Sequence, residues 1–135
     1  TEENIAPMAE LLLFAADRAQ HVEFLIKPAL AEGKVVISDR YADATTAYQG
    51  AGRGFSPAII KQVIKLATGG LKPDLTIFYD IPIGISFERT HKRNEMGELK
   101  NRLDKENSDF YERVRNAYLE IIAKEPKRFK VIDAS

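Results

Sequence analysis

The chain has 135 residues, 44% hydrophobic and 30% charged, which suits a folded domain that buries a core without covalent staples. Its 20 basic and 20 acidic residues cancel, so no nucleic-acid partner is expected and any basic site must be local. The absence of cysteine excludes a disulfide framework, a thiolate metal site and a cysteine nucleophile, and suits a cytoplasmic protein.

Residues 7–32 read as a helix. Pro7 fits its first turn, apolar Leu11, Phe14, Ala15, Val22, Leu25 and Ile26 recur at helical spacing, and Gly33 can end it. Pro28 lies inside that span and predicts a kink or break near Ile26–Lys27. The longest uninterrupted apolar run, Leu11 to Ala16, is too short for a membrane span. Val35-Val36-Ile37 predicts a short β-branched strand, apolar on both sides as in a parallel sheet with covered faces. A polar, glycine-bearing segment follows, and Ser56-Pro57 then opens a helix that carries Ile59, Ile60, Val63, Ile64 and Ala67 to a Gly69-Gly70 stop. Leu75 to Tyr79 predicts a second buried strand, ending at Asp80. Pro82 starts a helix through about Thr90, a charged stretch covers 91–106, and a further helix runs from about Ser108 to Lys124. Phe129 to Ile132 is the last predicted strand, ending at Asp133. Alternation of this kind predicts a doubly wound parallel α/β sheet, in which ligands sit beyond the carboxyl ends of strands.

Asp39-Arg40-Tyr41 would occupy such a strand end. A guanidinium there suits a phosphate, which it can grip with two charge-assisted hydrogen bonds. Asp39 could orient that arginine, hold a metal ion or take a proton; plain pairing at a sheet edge is the alternative for both residues. The run Gly50-Ala51-Gly52-Arg53-Gly54 lacks the lysine and Ser/Thr of GxxxxGK[ST] and does not directly follow a strand. It reads as a hinge or a loop folded over a ligand, with Arg53 structural. Phe14 and Arg18 are four residues apart and share a helix face, an arrangement that suits a nucleobase with a phosphate or carbonyl edge nearby. A core role for Phe14 is the alternative, although a fully buried stripe should not carry the charge of Arg18. Arg89, Lys92, Arg93, Lys100 and Arg102, with Gly97 among them, form either a solvated charged face or an arginine-bearing lid for phosphoryl transfer.

The segments LLFAADRAQHV (12–22), DRY (39–41), AYQGAGRG (47–54), GLKPDLTIFYD (70–80) and NRLDKENSDFYERVRNAYLEI (101–121) together closely resemble bacterial thymidylate kinases, in order and spacing, over essentially the whole chain. The resemblance implies phosphorylation of dTMP to dTDP with ATP and Mg²⁺, a P-loop NTPase-like doubly wound sheet with flanking helices and a lid, and a cytoplasmic homodimer. By matching positions it implies that Phe14 stacks on thymine, that Arg18 reaches the base edge or the phosphate, and that Arg40 binds the dTMP phosphate with Asp39 near the metal or the sugar. It implies base and sugar contacts for Thr45 and Gln49, and a place under the sugar for Tyr48. Arg89, Arg93 and Arg102 fall in the lid (about 89–106), Arg93 being the arginine implied to reach the transferred phosphoryl group, and Asp104 sits where an acidic residue commonly follows the lid arginine. Ala44 stands where the family usually has serine, and Asn101 where many members have aspartate.

The family's opening strand, P-loop and Glu-Pro-Gly-Gly-Thr loop are not recognisable, nor is its closing helix. The expectation is therefore a single partial nucleoside-monophosphate-kinase domain over 1–135, with the acceptor site in 8–55, inactive or poorly stable alone. A deoxynucleoside kinase and a non-catalytic nucleotide-binding fragment are the alternative functions.

Overall fold

The computed structural model describes residues 5–95 and 106–135, which fall into two compact units, one up to Lys72 and one from Pro73 onward. The first is helical. Helix α1 runs Pro7–His21 with Pro7 in its first turn; a π-helical turn, Val22–Ile26, and a short helix α2, Lys27–Ala31, continue it. The disturbance expected before Pro28 is thus present as a π turn, in which the Lys27 amide donates to the Val22 carbonyl, five residues back. Pro28 has no N–H, and its ring would strike the Phe24 carbonyl in a regular helix; widening the preceding turn relieves that crowding.

Val35-Val36-Ile37 forms no strand, a correction to the sequence expectation. Val35 and Ile37 are 90% and 93% exposed, and among the described residues no neighbour pairs with them. A β-branched run favours extended backbone, but only a partner's ladder turns that preference into a strand. The pliable loop expected after Tyr41 is corrected as well. A helical turn α3, Ala42–Ala44, passes into a π-helical segment, Thr45–Gly52, which ends where the Arg53 amide donates to the Tyr48 carbonyl at 2.9 Å.

Helix α4, Pro57–Thr68, matches its sequence signals: the Ser56 hydroxyl accepts from the Ile59 amide, and Gly69 closes the helix in the left-handed region at φ 60°. The π segment packs on α1 and α4. Small residues permit the close approach: Ala47 is fully buried, Ala44 and Gly52 are buried, and a Cβ at Gly50 would stand 3.5 Å from the Ile60 side chain. Leu11, Val22, Ile26, Ile60 and Ala67 complete this core.

In the second unit, strands β1, Thr76–Asp80, and β2, Phe129–Asp133, pair in parallel, with Thr76 opposite Phe129 and Asp80 opposite Asp133. Helices α5, Ile83–Glu95, and α6, Ser108–Lys124, lie between them in sequence, as a parallel connection requires. Phe110, Val114 and Phe129 are its buried apolar residues, and Phe78 stacks on Tyr118 at 5.1 Å between centroids. Asn107 caps α6, its Oδ1 accepting from the Phe110 amide at 2.9 Å. The doubly wound sheet expected across the chain is corrected: among the described residues the sheet has two strands. Their parallel order and their two terminal aspartates agree with the sequence reading.

Candidate functional site

In the first unit the residues read from the sequence lie on two walls. One is α1, where Phe14 and Arg18 stand one turn apart on one face. Phe14 is 42% exposed, so the core alternative for its ring does not hold. The other wall begins at Arg40 and continues through the π segment. With its expected strand absent, Arg40 is held differently: its φ is 64°, and among the described residues it is the non-glycine residue in the left-handed region. The Ser38 hydroxyl donates to the Arg40 carbonyl at 2.8 Å across this bend. Left-handed backbone costs a residue with a Cβ about 1–2 kcal/mol, and such strain concentrates at functional positions.

Each guanidinium of the site lies over an aromatic ring. The Arg40 Cζ is 4.9 Å from the Tyr48 ring centroid, and the Arg18 Cζ is 5.1 Å from that of Tyr41. Both distances fall within cation–π range, which orients the planar groups. The Tyr41 hydroxyl donates to the Leu71 carbonyl at 3.2 Å, anchoring the bend to the chain beyond α4. Burial pushes the Tyr41 phenol above its ordinary pKa, and the nearby Arg18 charge partly opposes that shift. Thr45 and Gln49 are buried on the π segment, whereas Asp39 is exposed.

Asp39 supplies a single carboxylate, and no group of three His, Cys, Asp or Glu side chains able to hold a metal occurs among the described residues. That donor set fits Mg²⁺, which commonly takes one or two carboxylates and completes its shell with phosphate and water oxygens. Of the lid arginines, Arg89 lies on α5, which runs beyond the Thr90 end expected from sequence, and donates to the Ala134 carbonyl at 2.9 Å. The side chain of Arg93 and the whole of Lys100, Asn101, Arg102 and Asp104 lie outside the described residues.

Ionic contacts between residues far apart in the chain were not read from sequence. Arg53 Nε donates to Glu10 Oε1 at 3.1 Å and Nη2 to Oε2 at 3.4 Å, with both side chains almost withdrawn from water. Arg115 grips Asp80, at the end of β1, with Nε–Oδ1 and Nη2–Oδ2 distances of 2.7 and 2.9 Å. Glu10 did carry a signal: it adjoins Leu11 at the edge of a buried stripe, where a carboxylate requires a cationic partner. Which cation answers it is a tertiary fact.

A thymidylate kinase family model matches residues 1–135. The thymidylate kinase of Desulfovibrio desulfuricans is 48% identical over 98% of this chain, and that of Nitratidesulfovibrio vulgaris 46% identical over all of it. The chain spans 62% and 64% of those two relatives. A crystal structure of thymidylate kinase from Ehrlichia chaffeensis superposes with a TM-score of 0.74 at 32% identity, covering 99% of this chain and 59% of that one. The match over 1–135 corrects the expectation framed by a missing P-loop segment and closing helix: the family likeness covers the whole of this chain. The fold is an α/β thymidylate-kinase-like fold over the whole chain, and the chain belongs to the thymidylate kinase family.

Proposed function

We propose that this chain acts in the phosphorylation of dTMP to dTDP at the expense of ATP, with the acceptor nucleotide lying between α1 and the π segment. The observation that carries the reading is Arg40, kept in strained left-handed backbone with its guanidinium over Tyr48, a phosphate-gripping group fixed in place before any ligand arrives. Phe14 offers its exposed ring to the thymine, and Arg18 meets the base edge or the phosphate. Thr45 and Gln49 contact base and sugar from the buried face, and Tyr48 stands under the sugar, where its bulk disfavours a ribose hydroxyl.

In the reaction an oxygen of the dTMP phosphate forms a bond to the γ-phosphorus of ATP while the bond to the β-bridging oxygen breaks and ADP leaves. Such chemistry rests on positioning and charge neutralisation. Arg40 holds the attacking phosphate in line and offsets its charge; by the family likeness, Arg93, with Arg89 and Arg102, would neutralise charge on the transferred group. Asp39 orients Arg40 or contributes a carboxylate to Mg²⁺, which, bound with the nucleotide, supplies further positive charge. The same reading places the protein in the cytoplasm as a homodimer; no described helix is long and apolar enough to cross a membrane.

Calorimetric titration with dTMP, using dAMP and thymidine as controls, tests the acceptor site. Saturable dTMP binding should weaken in Arg40→Ala by about 10- to 150-fold, the value of one charge-assisted hydrogen bond. Thymidine binding as tightly as dTMP would point to a deoxynucleoside kinase. Binding of dTMP with no dTDP formed under saturating ATP and Mg²⁺ would point to a binding module.

A further inference from the structure

Where α1 packs on the π segment, Leu11 of the one and Ala47 of the other are both fully buried. Surfaces of this kind adhere without fixing a unique rotation or slide, since small side chains interlock little. Among the described residues of the first unit lies a buried ion pair, between Glu10 and Arg53, whose side chains are 7% and 13% exposed. Burying two charges is costly, and a pair of similar-sized apolar residues would often serve stability as well. What an apolar pair cannot supply is direction: a carboxylate gripped by two guanidinium nitrogens has its distance and its plane fixed together.

Its placement gives that direction a use. Glu10 precedes Phe14 by four residues and Arg18 by eight, so all three lie along one face of α1. Arg53 directly follows the segment carrying Thr45, Tyr48 and Gln49, and its own amide is bonded to the Tyr48 carbonyl at 2.9 Å. A rotation of α1 about its axis would therefore break the Glu10–Arg53 fork and shift Phe14 and Arg18 against Tyr48 and Gln49 in one movement. We propose that the Glu10–Arg53 ion pair is a positioning device that sets the register between the two walls of the acceptor site; this rests on the acceptor-site reading above. In this role both residues act through the side chains they align.

The test is the double variant Glu10→Leu/Arg53→Met, which replaces the pair with apolar side chains and leaves no buried charge behind. Its melting temperature and its Kd for dTMP are measured beside those of the wild-type chain. The inference expects a melting temperature near that of wild type and a Kd raised about tenfold, the consequence of a sub-ångström misplacement of the contacts. An unchanged Kd overturns it. A weakened Kd that returns to the wild-type value on cooling, in step with a lowered melting temperature, also overturns it, because the pair is then only structural. Should the double variant fail to fold, Glu10→Gln, which keeps the shape and loses the charge, is read by the same criteria. A wild-type chain that melts cooperatively but does not bind dTMP overturns the acceptor-site reading and this inference with it; dTMP binding indifferent to the pair overturns the inference alone.

Discussion

Arg40 offers a comparison that separates backbone strain from side-chain function. Its φ of 64° is a region where a Cβ crowds the following carbonyl, at about 1–2 kcal/mol, and glycine escapes that term. Glycine also loosens the unfolded chain, which costs roughly 0.4–1 kcal/mol of stability. Arg40→Gly and Arg40→Ala both lose the guanidinium over Tyr48, and both keep the backbone carbonyl that accepts from Ser38, so these contributions cancel between them. What remains favours the glycine variant by about 0.5–1 kcal/mol, or a melting temperature higher by roughly 2–4 °C in a chain of this size. Differential scanning calorimetry on the two variants measures the difference directly. Titration with dTMP should meanwhile find them equally weak, since each lacks the guanidinium proposed to bind the phosphate. An alanine variant that melts at or above the glycine variant would refute the claim that Arg40 is held in left-handed backbone. A glycine variant that binds dTMP as tightly as wild type would refute the role of the guanidinium.

Two further outcomes follow from single contacts. Asn107→Ala removes the oxygen that accepts from the Phe110 amide at 2.9 Å and should lower stability by about 1 kcal/mol in urea unfolding, with an unchanged denaturant slope. Tyr41 sets a pH dependence: its phenol binds its proton more tightly folded than unfolded, so stability is level below pH 10 and declines as pH rises through the raised folded value. Tyrosinate absorbance should show a phenol that titrates above the ordinary tyrosine value, and Tyr41→Phe should remove it and flatten the alkaline loss of stability.

Much of the local structure followed from sequence because its causes are local. Ser56-Pro57 and Gly69 bound α4, the Pro28 signal yields a π turn just before it, and α6 begins and ends at Ser108 and Lys124 as its capping residues and the following Glu-Pro dictate. Parallel pairing of the strands ending at Asp80 and Asp133 was likewise legible, because each is an apolar β-branched and aromatic run with a helix before it. The family was legible too, since DRY, AYQGAGRG and the flanking segments hold their order along the chain.

What failed was whatever depended on partners. Val35-Val36-Ile37 has strand composition, yet composition cannot supply the neighbouring ladder that makes a strand, and the run stays exposed. The stretch after Tyr41 looked pliable for its glycines, but burial of Ala47, Gln49 and Gly52 between two helices holds it in a π-helical path. Arg40 was placed by sequence at a strand end; the structure holds it instead through a left-handed backbone, a serine hydroxyl and an aromatic ring. The partner of Glu10, forty-three residues away, had no local signature at all. Sequence therefore determined which groups the candidate site is proposed to use and the ends of most helices, through propensities that act within a few residues. Tertiary structure alone decided how those groups face one another, because burial and charge pairing join residues that chain order keeps far apart.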